Sequence, residues 1–245
     1  MSKRPVWVRL DRVLVSRGIA TDRDDAHAQI AAGIIEVDGM IARSPTAQVR
    51  AEPSVRVISG PDWVSRGAFK LDGVLDPLGV SPAGLVCADL GASTGGFTDV
   101  LLRRGAHRVY AIDVGRGLLD WRLVQDARVV NLEGTNAREL TALPDPIGLI
   151  VGDLSFISLG LILPAVRRLL APGGDAVLMV KPQFEAARAD IAPGGKVSDE
   201  ARASAILRVR DDADDAGFDV VQAIDSPLPG ARAGNVEHFL HLRPR

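Results

Sequence analysis

The sequence holds a single cysteine, Cys87, in 245 residues. No intramolecular disulfide can form, which fits a reducing, cytoplasmic setting. Cys87 falls inside an apolar run and is expected to be an inert core residue. Charge of one sign is also scarce. The formal net charge is −2, so no global basic field draws the chain to nucleic acid, and any RNA site has to be a local patch. The first 66 residues carry ten Lys/Arg against eight Asp/Glu, a mildly basic section ahead of an acidic remainder. Long hydrophobic runs are missing too. The most apolar stretch, 147–166, is broken by Asp153 and by glycine and proline, and reads as a strand plus a helix rather than a membrane span. No apolar segment follows the basic start at Lys3 and Arg4, so no signal peptide is expected. What is present suffices for a core: 47% hydrophobic residues and a length that allows one large domain or two.

The stretch from Val86 to Asp99, VCADLGASTGGFTD, organises the chain. Val86 to Leu90 reads as a short buried strand, and Phe97 to Arg104 continues at helical spacing. Between them, Gly91, Gly95 and Gly96 form a turn that leaves backbone N–H groups and a helix N-terminus facing one spot. That spot lies at the carboxyl end of a parallel strand, where open α/β sheets bind ligands. The spacing is neither G-x-G-x-x-G nor a P-loop, and Asp89 beside it repels phosphate and suits a cationic amino-acid group. The run is similar to the S-adenosylmethionine loop of Rossmann-like methyltransferases. A second strand, Arg108 to Asp113, ends in an acid able to accept hydrogen bonds from ribose hydroxyls.

Ahead of this core, residues 7–58 read as a helix-helix-strand module. Leu10, Val13 and Leu14 mark one helix, and Ala26, Ile30 and Ala31 the apolar side of a second that starts near Thr21–Asp24. A strand then runs from Ile34 into an Asp38-Gly39 turn, with further short strands at Val49 and Val55–Ile58. Residues 1–58 are expected to form one domain, 59–65 a linker, and 66–245 a second domain. In that second part, strands are expected at 128–132, 149–154, 176–181, 218–224 and 236–242. Helices are expected around 68–78, 118–124, 159–170 and 198–214, a turn at 172–174, and a polar loop over 184–197. Alternating strands and helices imply a parallel sheet, and the last two strands imply an antiparallel hairpin at one edge.

Those strand ends place Asp153 and Lys181 near the glycine loop, where Lys70 and Glu237 could converge with them. Two amines and two carboxylates in one cleft suit methyl transfer to a ribose 2′-hydroxyl, a poor nucleophile that must lose its proton. Free lysine, with a pKa of about 10.4, is a weak candidate base at neutral pH; burial or a second cation would lower that value. Asn136, after the third strand, is positioned for an adenine edge.

The motifs SRGAFKL, DLGASTGGFTDVLL, VYAIDVG, NLEGTNAREL, DLSFISL, VKPQFE, GGKV and GNVEHF together resemble the TlyA-type ribosomal RNA 2′-O-methyltransferases, historically labelled haemolysins. The resemblance implies a Rossmann-like, FtsJ-type methyltransferase domain with a mostly parallel seven-stranded sheet and an antiparallel last strand. It also implies a small α+β RNA-binding domain of ribosomal-protein type. It places a catalytic tetrad on Lys70, Asp153, Lys181 and Glu237. It places S-adenosylmethionine on Asp89, Gly91, Ser93, Gly95, Gly96, Phe97, Asp113, Asn136 and Asp153. RNA contacts are expected from Arg4, Arg9, Arg12, Arg17, Arg23 and Arg66, with ribosomal RNA in ribosomal subunits as partner and no metal. Two positions depart from the pattern: Phe69 stands where His or Tyr is usual, and Asp24 where Arg is common. The implied reaction is methylation of a cytidine 2′-hydroxyl in 16S and/or 23S RNA. A membrane-active haemolysin and a non-catalytic ribosome-assembly factor are the alternatives.

Overall fold

The computed structural model describes residues 7–31, 33–57, 63–230 and 233–245; Arg4 and positions 59–62 of the expected linker lie outside the described residues. The chain divides into two compact units, Met1–Asp62 and Trp63–Arg245.

In the first unit, β1 (Trp7–Arg9) runs directly into α1 (Leu10–Ser16), followed by α2 (Arg23–Ala31), β2 (Ile35–Val37), β3 (Met40–Ile41), β4 (Gln48–Arg50) and β5 (Val55–Val57). Leu10, Leu14, Ala26, Ile30 and Ile35 close a small core between the helices and β2. β2 pairs antiparallel with both β3 and β5. Asp38 and Gly39 both take positive φ, 49° and 82°, as a tight hairpin turn whose twist matches its strands requires. Two expectations are corrected. Ala31 faces solvent rather than the core. Trp7–Arg9 is a strand because it pairs antiparallel with Gln48–Arg50, a contact across some forty residues that no local pattern announces.

The second unit comprises α3 (Gly67–Leu75), β6 (Val86–Leu90), α4 (Gly96–Arg103), β7 (Arg108–Asp113), α5 (Trp121–Val124), β8 (Val129–Glu133), β9 (Ile147–Gly152), α6 (Leu163–Leu169), β10 (Leu170–Val180), α7 (Pro182–Glu185), α8 (Asp199–Asp215), β11 (Phe218–Asp225) and β12 (His238–Pro244). They build a seven-stranded sheet in the order β11-β12-β10-β9-β6-β7-β8. β8, β7, β6, β9 and β10 are parallel, and β12 runs antiparallel between β10 and β11. Side chains alternate across the sheet. Cys87 joins a cluster with Leu71, Leu75, Leu101 and Phe239 on one side. Ala88 and Leu90 join Ile112, Leu163, Val166 and Leu178 on the other. The sheet is therefore buried on both faces, which explains its near-continuous apolar strands. β6 has β7 on one flank and β9 on the other, so the strand order reverses there and opens a crevice at the carboxyl ends.

Elsewhere the local pattern is refined. The expected turn at 172–174 is an irregularity inside the long strand β10: the register slips between Leu170 and Asp175 against β9, with Gly173 at φ 77°. The expected helix 159–170 is a short 3-10 turn, Leu159–Leu161, then α6. The expected polar loop 184–197 contains the end of α7, a 3-10 turn at Arg188–Asp190 and a bridge from Ile191 to Val197. Glu237 immediately precedes β12 rather than beginning it.

Candidate active site

Three adjoining chambers open at the carboxyl ends of β6, β7, β9 and β10. The largest, about 510 Å³, is lined by Asp113, Val114, Leu118, Asn136, Ala137, Leu154 and Phe156 among others. A second of about 180 Å³ lies over the glycine loop and is bordered by Asp89, Gly91, Ser93, Gly96, Phe97, Asp153 and Lys181. A third of about 240 Å³ is bordered by Lys70, Lys181, Glu237, Phe156 and Phe184. Gly91, Ser93 and Asp153 are shared by the first two, and Lys181 by the second and third.

The glycines of the loop are required by contact. Gly95 takes φ 96°, and a Cβ there would meet Leu123 and Leu119 side chains at 2.2 and 2.8 Å. A Cβ on Gly96 would lie 2.3 Å from Ser65 Oγ and 2.9 Å from the Ala68 backbone nitrogen. One on Gly91 would press on the Asp153 carbonyl oxygen at 3.1 Å. The loop is thus wedged between the chain leading into α3 and the end of β9, with its backbone facing the chamber.

Asp89 is fully buried, and Thr98 Oγ1 donates to its Oδ2 at 2.7 Å. Its Oδ1 is buried without a partner. Burial pushes the carboxyl up to about 7, opposed by the Thr98 hydrogen bond and reinforced by the nearby charge of Asp153. A buried carboxylate with one unmet oxygen at a chamber wall fits a cationic group such as the ammonium of an amino-acid ligand. Asp113, half-buried, accepts from Ser93 N through Oδ2 at 2.8 Å and from Gly115 N through Oδ1 at 2.7 Å. Each carboxylate oxygen can take a second donor, so the acid fits a pair of ribose hydroxyls. Asn136 lines the large chamber; its Oδ1 accepts from Arg138 N and its Nδ2 donates to Glu139, so the side chain caps the following turn. Phe97 is largely a core residue, 3% exposed, with its ring 6.1 Å from that of Phe239. An apolar chamber with an acid at its far end, a glycine cradle and an orphaned buried carboxylate oxygen fit S-adenosylmethionine.

The four residues of the expected tetrad form two pairs. Lys70 Nζ donates to Glu237 Oε2 at 2.5 Å, with both side chains buried. Lys181 Nζ lies 2.5 Å from Asp153 Oδ1, a close charge contact outside hydrogen-bond alignment, and donates to Ser155 Oγ at 2.6 Å. Lys70, Glu237 and Lys181 border the 240 Å³ chamber, while Asp153 and Lys181 border the 180 Å³ one, so Lys181 faces both. α3 holds Lys70 in place through Arg104, which bonds Asp72 and Asp76 and ties α3 to the end of α4.

The arginines expected at RNA have different surroundings. Arg9 and Arg23 both bond Asp11, which is wholly buried, and His27 Nε2 lies 3.2 Å from the same carboxylate. Arg9 foremost, with His27 and Arg23, holds the Asp11 carboxyl well below its usual range. Arg12 and Arg17 are exposed, and Arg17 donates to the Pro53 carbonyl. Arg66, in the second unit, donates to the Pro229 carbonyl.

Several contributors escaped the sequence reading. Ser155 borders all three chambers. Phe156 is 78% exposed at φ 64°, with its ring 5.2 Å from that of Phe184. Glu133 accepts from the backbone nitrogens of Gly117, Leu118 and Leu119, which shape the large chamber, and those bonds draw its carboxyl down to about 2. Ser155 and Phe156 sit inside the quoted DLSFISL motif, so position could have flagged them. Glu133 likewise sits inside the quoted NLEGTNAREL motif, but its role is invisible there because it exists only once the 115–119 loop folds against β8. Among the described residues, no group of three or more His, Cys, Asp or Glu could hold a metal ion, and no helix is long and apolar enough to cross a membrane.

Comparison with known proteins decides the family. Residues 63–243 match the FtsJ-like methyltransferase model. The chain belongs to the FtsJ-like methyltransferases. It is 48% identical over 242 residues to the 16S/23S rRNA (cytidine-2′-O)-methyltransferase TlyA of Mycobacterium tuberculosis, covering 96% of this chain and 89% of that one. A solved Streptococcus thermophilus structure described as a hemolysin superposes with a TM-score of 0.75 at 35% identity, over 98% of this chain and 90% of the other. An S-adenosylmethionine-dependent methyltransferase from Listeria monocytogenes shares the fold at a TM-score of 0.54 and 16% identity, over 72% of this chain and all of the other. The FtsJ-like match covers the second unit, so the Rossmann-like methyltransferase fold and the two lysine–carboxylate pairs belong to the same part of the chain.

Proposed function

We propose that this FtsJ-like methyltransferase is a cytoplasmic enzyme that uses S-adenosylmethionine to methylate a cytidine 2′-hydroxyl of 16S and/or 23S ribosomal RNA within ribosomal subunits. One observation carries the reading: the Lys70–Glu237 pair and Lys181 border one chamber, and Lys181, beside Asp153, also borders the cofactor crevice. The tuberculosis relative, named for that reaction, supports the substrate.

When bound, S-adenosylmethionine supplies an electrophilic methyl group on a sulfonium. Asp89 receives its ammonium, the backbone of Gly91, Ser93, Gly95 and Gly96 its amino-acid portion, Asp113 its ribose and Asn136 its adenine edge. The acceptor ribose enters the 240 Å³ chamber. Phe156, exposed at the mouth, offers an aromatic face to a base turned out of its helix. Lys181 takes the 2′-hydroxyl proton while Asp153 holds the amine. Lys70 and Glu237 hold the other side of the chamber and keep its net charge balanced. Alignment of hydroxyl and methyl supplies much of the rate. The first unit presents Arg12 and Arg17 to the RNA, with Arg4, Arg9 and Arg23 as further contacts, and the second unit contributes Arg66.

The test is transfer of labelled methyl groups to isolated, unmodified small and large subunits, with Lys181→Ala alongside wild type. Label on a ribose, abolished by Lys181→Ala, is the expected result. Label on a base, or on neither subunit, refutes the proposal.

A further inference from the structure

We propose that Ser155 is a positioning residue that aims the Lys181 lone pair at the acceptor hydroxyl; this rests on the 2′-O-methylation reading above. Lys181 Nζ donates to Ser155 Oγ at 2.6 Å and to the Asp153 carbonyl oxygen at 3.4 Å, beside Asp153 Oδ1 at 2.5 Å. A neutral amine has two N–H donors and one lone pair. With Ser155 taking one donor and Asp153 the other, the lone pair is left for the 240 Å³ chamber that Lys181 also lines. The 2′-hydroxyl proton passes to that lone pair. The oxygen's electrons form the bond to the methyl carbon as the carbon–sulfur bond breaks, and the resulting ammonium keeps Ser155 and Asp153 as partners. Without Ser155 the amine rotates about its Cε–Nζ bond, and the lone pair is shared among directions that do not face the substrate.

The fold fixes Ser155 firmly for an exposed residue. The next residue, Phe156, takes φ 64°, a conformation that costs a bulky side chain energy and persists only where the surroundings impose it. Here they do. Glu185, 6% exposed, accepts from Ser158 Oγ at 2.7 Å and from Leu159 N at 2.8 Å. The Phe156 ring packs on Phe184. Both latches come from α7, which begins at the residue after Lys181. The loop carrying Ser155 and the strand end carrying Lys181 are therefore locked together from one element.

Single-turnover transfer to unmodified ribosomal subunits, with saturating cofactor, tests this on the full chain with Ser155→Ala and Ser155→Thr. Because general-base catalysis contributes about a hundredfold or more, losing only its aim is expected to lower kcat about tenfold or more in Ser155→Ala. Ser155→Thr, which keeps the hydroxyl, is expected to restore most of it. KM for RNA and the Kd of S-adenosylhomocysteine by calorimetry are expected to stay within about twofold in both variants. Wild-type kcat in Ser155→Ala, a threonine variant as slow as the alanine one, or a cofactor affinity that falls along with kcat overturns the proposal. A wild-type protein that methylates no ribose fails differently: it removes the functional reading, and this inference with it.

Discussion

Asp89→Asn should move stability and cofactor binding in opposite directions. Burial raises the Asp89 carboxyl from an unfolded value near 3.8 to about 7. Between those values the folded state keeps the proton and the unfolded state has lost it, so stability falls as pH rises and levels off above about 7. About two pH units of that window lie above pH 5, and at about 1.36 kcal/mol each they amount to roughly 3 kcal/mol. Asparagine keeps an oxygen for the Thr98 hydroxyl and carries no charge to desolvate. In urea unfolding, the stability of the variant minus that of wild type should therefore rise by roughly 3 kcal/mol from pH 5 to pH 8. A fixed penalty for the new amide shifts both points equally and cancels. Calorimetry with S-adenosylmethionine should show the reverse ordering. Wild-type affinity climbs toward pH 7 as the carboxylate forms, and the variant binds more weakly with little pH dependence. A stability difference that does not change with pH would refute the argument that the cost is ionisation of a buried acid.

Glu237→Gln leaves the Lys70 ammonium buried without its counter-ion, so it should destabilise the methyltransferase unit by roughly 3 kcal/mol in urea unfolding, with the added change Lys70→Met regaining most of that. A loss as large in the double variant would mean that packing, not charge, is at stake. Gly96→Ala should cost about 1–3 kcal/mol and weaken S-adenosylhomocysteine binding by calorimetry, because the new methyl meets backbone at Ala68 N as well as Ser65 Oγ. Unchanged binding would show that the loop does not need its close seat on α3.

Much of the fold was legible because its signals are local. The apolar run Val86–Leu90, the glycines after it and the helical spacing from Phe97 to Arg104 each act within a few residues, and together they define a strand, a turn and a helix. The same holds for Arg108–Asp113 and for the long helix capped by Ser198, whose Oγ accepts from Ala201 N. The β10 irregularity and strand β1 were hidden, since each depends on register against a partner distant in sequence.

By itself the sequence determined the order of strands and helices, the acid-and-glycine loop and the family motifs, because side-chain period, turn chemistry and chain reversals are encoded residue by residue. Only the tertiary structure decided which groups share a proton or a charge. Lys70 meets Glu237 across 167 positions, Lys181 meets Ser155 across 26, and Glu185 reaches back to Ser158 across 27. Burial, which raises the Asp89 carboxyl and leaves one of its oxygens unmet, likewise exists only after the sheet has closed. Electrostatics and hydrogen bonding act over a few ångströms in space, and spacing along the chain carries little of that information.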